Sequence, residues 1–254
     1  MGDLLIMPET PGLGEQALSK AAEFGLSNQL DEVENLDIDI KTDPLKIVQG
    51  QVDKVKIEGA GLVMQKDLRV ELMQMQVNNV AINPLSAAFG KIELTKPTVG
   101  SARVVLTEAD INRAFNSEFV LAKIQNQKIH INGQLKTVKP QQIDFRLPGE
   151  EKVAINADIL LVENNETHKV AFTAVPQVNA SGTSVSLENV TYGEEAEISP
   201  ELTQEFVEQT SEILNLSNFD LEGMSLRLKR LQVETGKLTL QAEAYVEQIP
   251  STNN

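Results

Sequence analysis

The chain has 254 residues, with 37 acidic against 22 basic side chains for a formal charge of −15, and it contains neither cysteine nor tryptophan. That charge opposes binding to nucleic-acid phosphates and to strongly anionic membranes. The lack of cysteine excludes a disulfide framework, thiol catalysis and cysteine-held zinc or iron–sulfur clusters. Hydrophobic residues make up 41% of the chain but aromatic ones only 4%, so its apolar surface is aliphatic, as suits alternating strands.

Residues 1–13 hold Pro8, Pro11 and Gly12, an acid at Asp3 and an apolar run of only Leu4 to Met7. This pattern predicts a loose lead-in rather than an export signal. No stretch of about 20 apolar residues follows that could cross a membrane as a helix. The expectation is a cytoplasmic protein, peripheral to membranes at most, with one domain over residues 14–250 and a frayed tail at 251–254.

From Gly14 to Leu30, Ala17, Leu18, Ala21, Ala22, Leu26 and Leu30 recur at helical spacing. The period then changes to two: Leu36, Ile38 and Ile40 alternate with Asp37, Asp39 and Lys41, the pattern of a half-buried strand. Similar segments are predicted at Val52–Ile57, Leu68–Ile82, Lys91–Thr95, Ala102–Leu106, Lys128–Val138, Gln141–Leu147, Lys152–Leu161, Lys169–Val178, Ser184–Tyr192, Leu226–Glu234 and Lys237–Glu247. Between Leu68 and Val77 the alternation slips, with Val70 and Leu72 on one parity and Met73, Met75 and Val77 on the other. The slip predicts either a bulge or an interval covered on both faces. Gly59-Ala60-Gly61 reads as a turn between strands.

Two helices interrupt the strands. Thr107-Glu108-Ala109-Asp110 is a capping box with Asp in place of Glu, ahead of Ile111, Ala114, Phe115, Phe119 and Ala122 on one face. Ser199-Pro200-Glu201 supplies an N-cap and a first-position proline ahead of Leu202, Phe206, Ile213 and Leu214. Both helices are expected to lie on the concave side of the sheet.

Catalytic motifs are missing. The two histidines, His130 and His168, have no metal-ligand spacing. There is no nucleophile elbow, Walker loop or dinucleotide fingerprint. The acids alternate along strands or cluster in turns, as solvated faces do. Asp110, Asn112, Arg113 and Asn116 form the most polar group on a core-facing helix; bonding to neighbouring backbone is the expected role, with a ligand headgroup as the alternative. No catalytic residue, metal or cofactor is assigned, and the protein is expected not to be an enzyme.

The runs Gly61-Leu-Val-Met-Gln-Lys-Asp-Leu-Arg-Val70, Asn79-Val-Ala-Ile-Asn-Pro84, Leu106-Thr-Glu-Ala-Asp-Ile-Asn-Arg113, Phe172-Thr-Ala-Val-Pro176 and Gly223-Met-Ser-Leu-Arg227 together resemble the cyanobacterial branch of the LmeA-like phospholipid-binding proteins. The likeness runs from about Leu30 to Pro250. It implies an α+β, tubular lipid-binding architecture, TULIP-like, in which a long curved antiparallel sheet wraps helices around an elongated apolar groove. The implied function is non-enzymatic binding and transfer of phospholipid or glycolipid by its acyl chains, with transient peripheral membrane contact and no nucleic acid. On this reading the lining comprises Val104, Leu106, Phe115, Phe119, Ile155, Ile159, Val170, Phe172, Phe206, Leu240 and Ala242, and a tryptophan at Ala157 or Ala174 should lower lipid occupancy with the fold intact. The alternative is an adaptor with a solid interior that binds protein partners through a sheet edge or its acidic face.

Overall fold

In the computed structural model, which describes residues 12–64, 66–88, 93–131, 133–193, 200–213 and 223–247, the alternating segments form two antiparallel sheets rather than one. The first begins with β1 (Glu32–Lys41), β2 (Gln51–Met64), β3 (Leu68–Ala81) and β4 (Thr98–Thr107). The second is a meander of β5 (Gln127–Ile131), β6 (Gln134–Gly149), β7 (Lys152–Leu161), β8 (Glu166–Val178) and β9 (Val185–Tyr192). The chain then returns to the first sheet with β10 (Met224–Glu234) and β11 (Lys237–Val246), which gives the order β1-β2-β3-β4-β11-β10. The helices are α1 (Leu13–Ser27), α2 (Pro44–Val48), α3 (Pro84–Ala88), α4 (Glu108–Phe115), α5 (Glu118–Ile124) and α6 (Pro200–Ile213).

The hydrophobic alternation sets the two faces of the first sheet. Pairing aligns Ile38, Ile57, Met75, Ala102, Ala242 and Leu228 in one row across all six strands. The adjacent row on the other face runs Asp39, Lys56, Gln76, Ser101, Glu243 and Arg227. In these rows one face is apolar from edge to edge and the other polar, while nearer α4 the second face carries the paired Leu72 and Val105, the latter buried. A bulge in β10 between Leu228 and Arg230 is needed to keep this so: the extra residue lets Leu226 and Leu228 before it, and Leu231 and Val233 after it, share one face. The mixed parity of Leu68–Val77 has the second of its two expected causes, since β3 keeps its register with both neighbours and is half-buried on both faces.

The second sheet curls. α6 packs against β8 and β9 at one side and against β5 at the other, so the sheet bends around the helix as a half-barrel. Ile129, Val138, Ile143, Phe145, Ile155, Ile159, Val170, Phe172 and Leu202 are buried inside it, with Phe115, Phe206, Leu106, Leu231 and Leu238 packed against them.

Several sequence expectations are corrected. The helix expected from Glu108 to Ala122 is two helices, because Ser117 caps a new one: its Oγ accepts the Val120 N–H at 3.2 Å and donates to the Ala114 carbonyl at 2.7 Å. Gly59 and Gly61 lie within β2 rather than in a turn, and Gly61, at φ +58°, leaves the space that the Glu34 side chain fills. Lys128–Val138 is a hairpin, and Gln141–Leu147 continues its second strand through a bulge at Pro140, which has no N–H to pair. Of the strand expected at Lys91–Thr95, Leu94 makes an isolated bridge to Ile82, while Lys91 and Ile92 lie outside the described residues. The Ser199 cap and Leu214 also lie outside them.

Two helices seal strand edges that would otherwise present unpaired backbone to solvent or to other chains. Along β1, the Thr42, Ile40 and Ile38 N–H groups donate to Glu15 at 2.8 Å, Ser19 at 3.1 Å and Glu23 at 3.3 Å on α1. Along β6, beyond the reach of β5, the Leu147 N–H donates to Glu108 at 2.7 Å. Asn112 accepts from the Phe145 N–H and donates to its carbonyl, both at 2.7 Å, and Asn116 does the same with Ile143 at 3.4 and 2.9 Å. The geometry matches because four helical residues rise about 6 Å and two strand residues span about 6.6 Å. A helix can therefore substitute for the missing strand with every fourth side chain. Asn112 and Asn116 thus serve local backbone, as expected, although the backbone is a strand edge rather than a loop.

Candidate functional site

The apolar face of the first sheet is covered from two sides. At β1, Leu18, Ala22 and Leu26 of α1 meet Leu36, Ile38, Ile40, Val52, Val55 and Ile57 in one buried cluster. At the other side, Leu106, Leu231, Val233 and Leu238 join the core of the second sheet, together with Ile111 of α4. Between them lie Met73, Met75 and Val77 of β3, Ala102 and Val104 of β4, Leu240 and Ala242 of β11, and Leu226 and Leu228 of β10. Among the described residues these side chains belong to neither cluster, and all are half-buried, whereas Gly100 and Ala244 beside them are buried. Six strands at about 4.8 Å spacing make the face about 24 Å wide.

One end of this face is closed by charge. Arg69 of β3 donates to Asp110 at 2.9 Å and to Glu34 and Glu71 at 2.7 Å each. Asp110 also completes the α4 capping box by accepting from the Thr107 backbone N–H at 3.0 Å and the hydroxyl at 2.6 Å. Burial works to raise the Asp110 pKa, but the hydrogen bonds from Thr107 and then the Arg69 guanidinium outweigh it, and the net shift is downward. Because the folded pKa lies below the unfolded one, Asp110 contributes stability fully above about pH 4, and that contribution is lost as the pH falls through the folded value. Asp110→Asn is therefore expected to flatten the fall in urea midpoint between pH 5 and pH 2.5 relative to wild type. Parallel profiles for the two proteins would contradict this role.

The expected lining residues fall in three places. Val104, Leu240 and Ala242 stand together on the half-buried apolar face. Ile155, Ile159, Val170 and Phe172 are buried in the second sheet's core, where Leu106, Phe115 and Phe206 pack against them. The rings there are in contact, Phe172 to Phe206 at 6.5 Å between centroids and Phe115 to Phe145 at 5.8 Å. Phe119 lies apart on α5, in a cleft of about 460 Å³ shared with Gln29, Asp31, Lys66, Asp67 and Glu118. A second cleft, of about 230 Å³, lies between β8 and β10 and is lined by Glu151, Pro176, Gln177, Val178, Lys229, Arg230, Leu231 and Val233. Met73, Met75, Val77, Leu226 and Leu228 were not among the expected lining. The parity of Met73, Met75 and Val77 carried the signal, but only the strand register joins them to Val104 and Leu240.

Two antiparallel sheets, one curled around a helix and the other with one long apolar face, define a class: an α+β protein whose architecture is consistent with lipid-binding folds. A family model described as LmeA-like phospholipid-binding matches residues 10–243, and the chain belongs to that family. No curated protein and no solved structure matches it. Among the described residues, no helix is long and apolar enough to cross a membrane.

Proposed function

We propose that this protein binds phospholipid without catalysis, holding the acyl chains against the apolar face of the six-stranded sheet, and that it carries lipid by transient contact with membranes. The observation that supports this reading is the continuous apolar surface whose middle, from Met73 and Met75 to Ala242 and Leu228, lies between the two buried clusters. Burial of an acyl chain from water is worth about 0.8 kcal/mol per methylene, or on the order of 10 kcal/mol for a common chain. A bilayer offers the chain nearly the same stabilisation, so exchange between bilayer and protein is close to balanced and needs no chemical energy. The headgroup can remain in water, which makes the reading compatible with phospholipid and glycolipid alike.

Native mass spectrometry of the purified protein, followed by extraction and identification of what it carries, tests this function. The expected result is an adduct of phospholipid or glycolipid mass at about one per chain, regained after delipidation by incubation with liposomes. A bare polypeptide mass that takes nothing up from liposomes would overturn the reading in favour of a packed adaptor.

A further inference from the structure

At one end of the first sheet, where β1 turns into β2 and β3 leaves for β4, α2 and α3 are held together as one tip. The Ile82 N–H donates to the Gly50 carbonyl at 2.7 Å. Gly50, at φ +71°, passes so close that a Cβ on it would lie 2.1 Å from the Ile82 oxygen and 2.9 Å from Pro84. Each helix start is fixed as well: Asp43 accepts the Leu45 N–H at 2.7 Å, and Asn83 accepts the Leu85 N–H at 3.1 Å. From this tip Leu45, Val48 and Leu85 project with 75%, 77% and 74% of their surface exposed, the three highest values for large hydrophobic side chains among the described residues. Val99 and Tyr245, paired across β4 and β11 at the same end, are exposed too.

Single exposed hydrophobics are ordinary, but several gathered on capped helices mark an interaction surface. Two observations indicate what covers it. The cluster beneath α1 reaches this end through Ile40, Val55, Val52 and Val80, and Val77, paired with Val55, borders it from the half-buried middle of the face, so the tip adjoins the candidate lipid site. The charge around the tip is nearly balanced, with Lys41, Lys46, Lys54 and Lys96 against Asp39, Asp43, Asp53, Glu93 and Glu247, in a chain whose formal charge is −15. Lys46 is already paired to Asp53 at 2.7 Å. The tip therefore meets a bilayer with little net charge, and its attraction there is apolar rather than electrostatic.

We propose that α2 and α3 form a membrane-docking tip, with Leu45, Val48 and Leu85 entering the interfacial layer of a phospholipid bilayer beside the Val77 end of the apolar sheet face. The proposal rests on the lipid-binding reading above and adds to it the place of contact. The test is flotation of the full chain with phosphatidylcholine vesicles, comparing wild type with the triple variant Leu45→Ser, Val48→Ser, Leu85→Ser and with the control Leu135→Ser, Val162→Ser on the second sheet. The triple variant is expected to partition about tenfold less or weaker still, with wild-type binding little changed by 0.5 M salt and the control unaffected. Because the chain has no cysteine, an environment-sensitive dye on Leu85→Cys should shift to the blue on adding vesicles while one on Leu135→Cys should not. Equal partition of the triple variant, or no shift at Leu85→Cys, would overturn the tip. Lipid occupancy, measured separately, distinguishes the two readings: an occupied protein with no tip-dependent docking removes the tip, whereas tip-dependent docking by a protein that never carries lipid removes the lipid-binding function.

Discussion

Asn112→Ala is expected to destabilise the protein by about 2–3 kcal/mol, and the loss should appear as a lower urea midpoint and a fall in Tm of roughly 5–10 °C. Asn112 bonds both backbone groups of Phe145, a residue that is 7% exposed, so truncation leaves a donor and an acceptor unpaired in largely buried surroundings. Each lost partner costs about 1–3 kcal/mol, while alanine returns only about 0.5 kcal/mol through helix propensity. Asn116→Ala should cost less, since one of its two bonds to Ile143 is long at 3.4 Å. The edge that Asn112 seals belongs to β6, so Asn112→Ala should also expose that strand and increase aggregation. A change below about 0.5 kcal/mol would mean that water replaces the asparagine without penalty and that the helix does not act as a surrogate strand.

Ala102→Trp and Ala242→Trp are expected to lower lipid occupancy about tenfold or more while the protein stays folded. The two alanines face each other across β4 and β11, in the row between Met75 and Leu228, and both are half-buried. An indole there occupies the lane an acyl chain would use without entering a closed core. Ser101→Trp, on the exposed opposite face, is the matched control. The positions suggested by sequence alone, Ala157 and Ala174, are 5% and 1% exposed within the second sheet's packed core, where so large an insertion would cost about 3 kcal/mol or more through overpacking. Undiminished occupancy in both Ala102→Trp and Ala242→Trp, measured by native mass spectrometry against wild type, would remove the six-stranded face as the binding surface.

The local chemistry was legible in the sequence because it acts over a few residues. Alternation marked Leu36, Ile38 and Ile40 as one face, and the capping box at Thr107 and Asp110 forms as its spacing implies. The motifs from Gly61 to Arg227 indicated the family that the match over residues 10–243 shows. Alternation does not say which strand lies beside which, because pairing is fixed by contacts distant in sequence and by turn geometry. That β11 inserts between β4 and β10 was therefore decided by the tertiary structure, and with it the meeting of Val104 and Leu240 with Met73. The same holds for the division into two sheets, which sends Ile155, Ile159, Val170 and Phe172 to a packed core and leaves Val104, Leu240 and Ala242 on the half-buried face. Period and caps are properties of a segment and can be read from it. Burial is a property of what comes to rest against that segment, and only the assembled chain determines that.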